Sequence, residues 1–145
     1  MIALVQRVSH AHVSIDGKIN GQIDKGLMVL LGVEKGDDAA KAKRLAQKVA
    51  TYRMFEDEQG KMNLDVGQVA GDLLVISQFT LAADTKRGKR PSFSGSAEPG
   101  LGKELYEYFC QQLRELGFKV PTGVFGADMQ VTLTNDGPVT FTLTS

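Results

Sequence analysis

The sequence is poor in the residues that most often announce chemistry. Of its 145 residues one is cysteine, Cys110, and two are histidine, His10 and His12. A lone thiol forms neither an internal disulfide nor a cysteine-rich zinc site, and it fits a reducing compartment. An excess of charge is missing too: Lys plus Arg and Asp plus Glu number 17 each. Proteins that coat a duplex are basic, because phosphate contacts supply most of their affinity. Binding along a long stretch of backbone, and DNA binding in particular, is therefore not expected; a small local contact with nucleic acid stays open. No apolar run approaches the roughly 20 residues that span a bilayer. The opening MIALVQRVSHAHVSIDG has no basic start, long apolar core or small-residue cleavage site. These absences lead to the expectation of a cytoplasmic protein without membrane contact. There is no internal repeat, no phosphate loop or dinucleotide fingerprint, and no Gly-x-Ser-x-Gly elbow. Energy-coupled and hydride chemistry are set aside, and no cofactor is expected.

What is present reads as one ordinary domain over residues 1–145, with 42% hydrophobic and 23% charged residues, long enough to bury a core. Ile2 to Val8 is mostly apolar. Val13 and Ile15 alternate with Ser14, Asp16-Gly17 supplies a hairpin turn, and Lys18 to Gln22 returns. Leu27 to Val33 is a continuous apolar run, as expected of a strand buried on both faces. Asp37 and Asp38 are N-cap candidates for a helix carrying Ala42, Leu45, Ala46 and Val49 on one face. Lys41, Arg44 and Lys48 cover its other, solvated side. Leu73 to Leu81 predicts a second buried strand. A loop from Asp84 to Ser96 follows, then a helix with Leu101, Leu105, Tyr108, Phe109, Leu113 and Leu116 on one stripe and Gly117 as its stop. Met129, Val131 and Leu133, and after Asn135-Asp136-Gly137-Pro138 the residues Val139, Phe141 and Leu143, predict two closing strands. The class is α+β: a β-rich, largely antiparallel barrel-like sheet with two main helices.

Read residue by residue, the chemistry is thin. His10 and His12 share a strand face, so a metal pair is geometrically possible, but no third ligand is signalled and no metal is expected. Ser77 and Thr80 close a buried strand without an evident base to activate either hydroxyl. On a regular strand they point to opposite faces; they converge only if the strand ends or kinks there. Taken alone, Thr80 reads as a strand residue. Lys86, Arg87, Lys89 and Arg90 place four bases in five residues, either a solvated loop or a contact for an RNA end. Gly137-Pro138 interrupts a ladder, since proline lacks an N–H; local sequence reads it as a plain trans turn, although X-Pro bonds are where cis peptides occur. These residues by themselves reach only a soluble α+β domain with a polar cleft near Ser77 to Thr80.

At the same residues the chain closely resembles the D-aminoacyl-tRNA deacylase family, also called D-tyrosyl-tRNA deacylases. The signature segments are Ser77-Gln78-Phe79-Thr80-Leu81 and Asn135-Asp136-Gly137-Pro138-Val139-Thr140-Phe141. IALVQRV, GVEKGDD, KMNLDV, LAADTKRGKRPSFS and ADMQV match in order, so the resemblance covers essentially the whole length.

The resemblance implies a barrel-like fold, a symmetric homodimer, and an enzyme that hydrolyses the ester of D-aminoacyl-tRNA, and of glycyl-tRNA mischarged on tRNA-Ala, while rejecting L-aminoacyl-tRNA. It implies a cis Gly137-Pro138 unit that enters the partner subunit's pocket, against Ser77, Gln78, Phe79 and Thr80. Arg7 matches an arginine that holds this unit; read alone it is a surface strand charge. Met129 resembles a position near the terminal adenosine; read alone it is core. A wall of fixed carbonyls would bind the α-ammonium and exclude an L side chain, which is specificity by rejection. Glycine, having no side chain, passes. For the chemistry, the ribose 2′-hydroxyl would assist an attacking water, with backbone N–H groups near Phe79 and Thr80 holding the oxyanion. The alternatives are a broader esterase with Thr80 as nucleophile, and a non-catalytic RNA-binding dimer. The expected partner is the acceptor end of aminoacyl-tRNA.

Overall fold

A computed structural model describes residues 1–145. Its elements are β1 (Ile2–Ile15), β2 (Lys18–Ile23), β3 (Gly26–Gly32), α1 (Ala39–Thr51), β4 (Phe55–Glu56), β5 (Met62–Leu64), β6 (Asp72–Ser77), a 3-10 turn at Phe79–Ala82, α2 (Pro99–Glu115) and β7 (Gln130–Thr144). The mixed sheet curls into a half-barrel with both helices packed on it, which is the α+β architecture expected.

β1 is the spine. One edge pairs antiparallel with β3 over Ile2 to Val8 and with β2 over Ala11 to Ile15; the other edge pairs antiparallel with β7 along its whole length. β3 pairs in parallel with β6. The β1–β2 hairpin turns at Asp16 and Gly17, with φ of 50° and 77°, as a two-residue loop requires. β4 and β5 form a separate two-stranded ribbon.

Side chains alternate along β3 and β6. Leu27, Val29, Leu31, Leu73 and Val75 join the larger core under the helices. Met28, Leu74 and Ile76 point the other way, into a smaller cluster inside the curl with Val8, Ala11, Val13 and Ile23. Both faces of these strands are thus buried, which is why their sequences are unbroken apolar runs. α1 buries Ala42, Leu45, Ala46, Val49 and Ala50. Asp38 is its N-cap, accepting from the Lys41 amide at 2.9 Å. Asp37 is buried instead, with its carboxylate on the Met1 ammonium at 2.9 Å and on the Glu34 amide at 2.7 Å.

Four sequence expectations are corrected. The buried stripe of α2 is Leu105, Tyr106, Phe109, Cys110 and Leu113; Tyr108 is half-buried and Leu116 is exposed, because the helix is already breaking at Gly117, whose φ is 98°. The strand at Leu73 stops at Ser77 rather than Leu81. Its last ladder bond runs from the Gln78 amide to the Leu31 carbonyl at 2.8 Å, and the chain then folds back as the 3-10 turn. Gly32 permits that fold-back: a Cβ there would lie 2.9 Å from Leu81 Cβ and 3.2 Å from the Gln78 carbonyl. The tail is one strand carrying an excursion, not two strands. Within it the Gly137-Pro138 bond is cis, which overturns the local reading of a trans turn. No helix is long and apolar enough to cross a membrane.

Candidate active site

The end of β6 opens onto a cavity of about 510 Å³. One wall is Ile76, Ser77, Gln78 and Phe79. Leu31, Val33 and Ala97 form the floor toward the helices, and Phe125 to Met129 with Val131 form the opposite wall. Met129 reaches in because Gly123 makes room for it: a Cβ on Gly123 would collide with the Met129 sulfur. Expected as a site residue by resemblance and as core when read alone, Met129 lines the cavity and is half-buried.

Thr80 follows Phe79 on the 3-10 turn, exposed and outside the cavity lining, and its Oγ1 accepts a hydrogen bond from the Gln78 side-chain amide at 2.5 Å. An amide N–H donates and takes up no proton, so this partner does not activate the hydroxyl. The strand does end between Ser77 and Thr80, but of the two only Ser77 lines the cavity. The first hydrogen bond of the turn is Leu81 N–H to the Gln78 carbonyl, at 3.2 Å. The amides of Phe79 and Thr80 precede it and have no partner within the turn, as at any helix start. Asp128 is the one ionisable side chain in the lining.

Gly137 and Pro138 lie elsewhere. Gln6 pairs with Thr140 and Val8 with Asn135, so residues 136–139 stand opposite Arg7 alone and bulge from the sheet. Arg7 is buried, not a surface charge. Its Nε donates to the Asp136 carbonyl and its Nη1 to the Met54 carbonyl, each at 3.0 Å. Asn135 closes the neck: its side-chain oxygen accepts from the Val139 amide at 3.0 Å and its Nδ2 donates to Thr140 Oγ1 at 2.8 Å. Gly137 has φ of 134°, a value suited to glycine. A Cβ there would meet Val139 Cγ2 at 2.7 Å and Arg7 Nη2 at 3.0 Å. Both Gly137 and Pro138 are exposed and neither lines the cavity.

Lys86, Arg87, Lys89 and Arg90 sit on a loop whose neck is the antiparallel bridge between Asp84 and Ser92. His10 is turned toward Thr134, with Nε2 3.1 Å from Oγ1, and no three His, Cys, Asp or Glu gather as metal ligands. Sequence reasoning missed Asn135 as the neck clamp, Gly32 as the hinge space and Phe93 as the neighbour of Phe79. Only Asn135 left a signal, as a side-chain amide at the foot of a Gly-Pro turn.

A family model described as D-Tyr-tRNA(Tyr) deacylase matches residues 4–144. A D-aminoacyl-tRNA deacylase of Photorhabdus laumondii is 62% identical over 143 residues, covering 99% of each chain. One from Colwellia psychrerythraea is 60% identical over 144 residues, again 99% of each. Among solved structures, one described as c-Myc DNA Unwinding Element Binding Protein is 36% identical with a TM-score of 0.94, covering 100% of this chain and 99% of that one. A probable eukaryotic D-amino acid tRNA deacylase has a TM-score of 0.83 over 98% of this chain and 97% of that one. At 15% identity the second likeness concerns the fold alone.

Proposed function

The chain belongs to the D-Tyr-tRNA(Tyr) deacylase family and hydrolyses the ester of D-aminoacyl-tRNA; from that premise we propose how its residues divide the work. The observation that carries the reading is a cavity beside which the amides of Phe79 and Thr80 have no partner within their turn, and whose one ionisable lining side chain is Asp128. The acyl carbonyl oxygen sits against those amides, which stabilise the charge that develops on it. Met129 packs against the terminal adenosine, and Ser77 and Gln78 line the amino-acid end. Water adds to the carbonyl carbon, its proton passes to the ribose 2′-hydroxyl system, and the bond to the ribose oxygen breaks with that oxygen taking up a proton. Free D-amino acid and tRNA result. The RNA supplies the acid–base group, and the enzyme contributes position.

The selecting wall is Gly137-Pro138 of a second copy in a homodimer. Two features support this: the unit is displayed outward and does not line its own cavity, and β7 pairs only with β1, leaving a long free edge of the kind that recruits another chain. The wall rejects L side chains and passes D-amino acids and glycine, so glycyl-tRNA mischarged on tRNA-Ala is a substrate as well.

D-tyrosyl-tRNA and L-tyrosyl-tRNA are compared for the wild type and Thr80→Ala. Fast D cleavage, little L cleavage and a kcat in Thr80→Ala within about tenfold of wild type are expected, since removing a true nucleophile costs on the order of 10⁶-fold. A collapse of that order in a folded Thr80→Ala would transfer the chemistry to Thr80. For the wall, mixing a chain altered at Phe79 with one altered at Gly137 should restore activity that neither has alone; no recovery in verified mixed dimers would place the wall within one chain.

A further inference from the structure

Phe79 and Phe93 are large apolar side chains left 57% and 41% exposed, and they lean on one another with centroids 5.1 Å apart and planes at 47°. Phe79 belongs to the cavity rim, so Phe93 extends an aromatic step outward from it. The backbone under Phe93 is well anchored. The Asp84–Ser92 bridge closes with bonds of 2.7 and 3.1 Å, the Ser96 amide donates to the Phe93 carbonyl at 3.0 Å, and the Lys35 amide ties Gly95 to the body at 2.9 Å. Beyond the bridge, Lys86, Arg87, Lys89 and Arg90 are exposed, and none joins an ion pair. A flat apolar step beside unpaired cations, continuous with a cavity, suits single-stranded nucleic acid: bases stack on aromatics and phosphates meet the cations.

We propose that Phe93 stacks a base of the unpaired 3′ end that precedes the terminal adenosine, while Lys86 to Arg90 hold the adjoining phosphates. This inference rests on the deacylase reading and adds to it a residue that positions the RNA outside the reaction centre. The minimal substrate D-tyrosyl-adenosine carries the ester and the terminal adenosine but not the preceding cytidines, so it separates the two. Phe93→Ala should raise KM for D-tyrosyl-tRNA about tenfold with kcat kept, and leave D-tyrosyl-adenosine unaffected. Phe93→Trp should restore KM. The double variant Lys86→Glu, Arg87→Glu should flatten the salt dependence of KM on the tRNA only. Equal loss on both substrates would reduce Phe93 to a packing residue and overturn the proposal, as would an unchanged KM on tRNA. A wild type idle on both substrates would instead overturn the deacylase reading, and this inference with it.

Discussion

The cavity at the end of β6 and the excursion in β7 are held in opposite ways. The cavity is concave and rests on apolar support: α2 stands behind it, with Tyr106 against Phe125 at 6.1 Å between centroids and Phe109, Cys110 and Leu113 buried. The excursion is convex and polar. It hangs on a buried guanidinium and on the Asn135 amide, with main-chain carbonyls and amides as their main partners. Hydrophobic support is broad and non-directional; hydrogen bonds fix angle and distance. A receptacle for many amino acids needs only volume, whereas a wall that sorts mirror images needs fixed atoms. The difference in scaffolding matches the division of work proposed for the two regions.

The sharpest way to break this contrast is to remove Arg7. Arg7→Ala deletes two charge-assisted hydrogen bonds and leaves the Met54 and Asp136 carbonyls without those donors, so a loss of about 3 kcal/mol in urea unfolding is expected, together with weakened D-over-L discrimination. A stability change near zero would show that the excursion holds itself. Gly137→Ala comes next. Its Cβ has no room beside Val139 and Arg7, and displacement of the wall should lower kcat/KM on D-tyrosyl-tRNA by about 10²-fold while the fold survives; unchanged kinetics would mean that the wall tolerates movement. Asn135→Ala, at the neck, should cost about 1 kcal/mol and raise the rate on the L substrate before it lowers that on the D substrate, read by paired deacylation assays.

The smallest effect sharpens the other side of the comparison. Burial pushes the Cys110 thiol from its ordinary 9.0 up to about 12, with nearby Arg114 opposing, and burial also raises the Tyr106 phenol, helped by Cys110. Both groups stay protonated in the fold at pH values where they ionise in the unfolded chain. Their contribution to stability is therefore complete below about pH 9 and is lost as pH climbs toward 12. Cys110→Ala should flatten the alkaline limb of a stability–pH curve. An unaltered limb would show that the thiol is not part of what holds the cavity wall.

The apolar frame was legible because its signals are periodic and local. Leu27 to Val33 reads as a doubly buried strand, Asp16-Gly17 as a turn, and Asp38 as a cap, from neighbours alone. The site was legible only in pieces. Nothing near Leu81 announces that the strand stops four residues early; that depends on Gly32, distant in sequence, leaving space. The burial of Arg7 depends on carbonyls at Met54 and Asp136, and a lone arginine in a strand carries no mark of partners so far along the chain. On α2 the buried stripe keeps Leu105, Phe109 and Leu113 but takes in Tyr106 and Cys110 in place of Tyr108 and Leu116, and the bond from Tyr106 to the Val75 carbonyl at 2.8 Å is a contact between elements that the sequence of the helix does not announce. The likeness of two motifs to a known family bridged gaps that periodicity could not.

Asn135 and Thr140 rejoin the β1 ladder on either side of the excursion, and they are bonded directly to one another. The ladder therefore closes across the neck, and the one strand residue that reaches what lies between is Arg7, through the Asp136 carbonyl. An error in placing residues 136–138 is therefore confined to the excursion: the strand on either side keeps its register, and the position of Gly137-Pro138 answers to two side chains, Arg7 and Asn135.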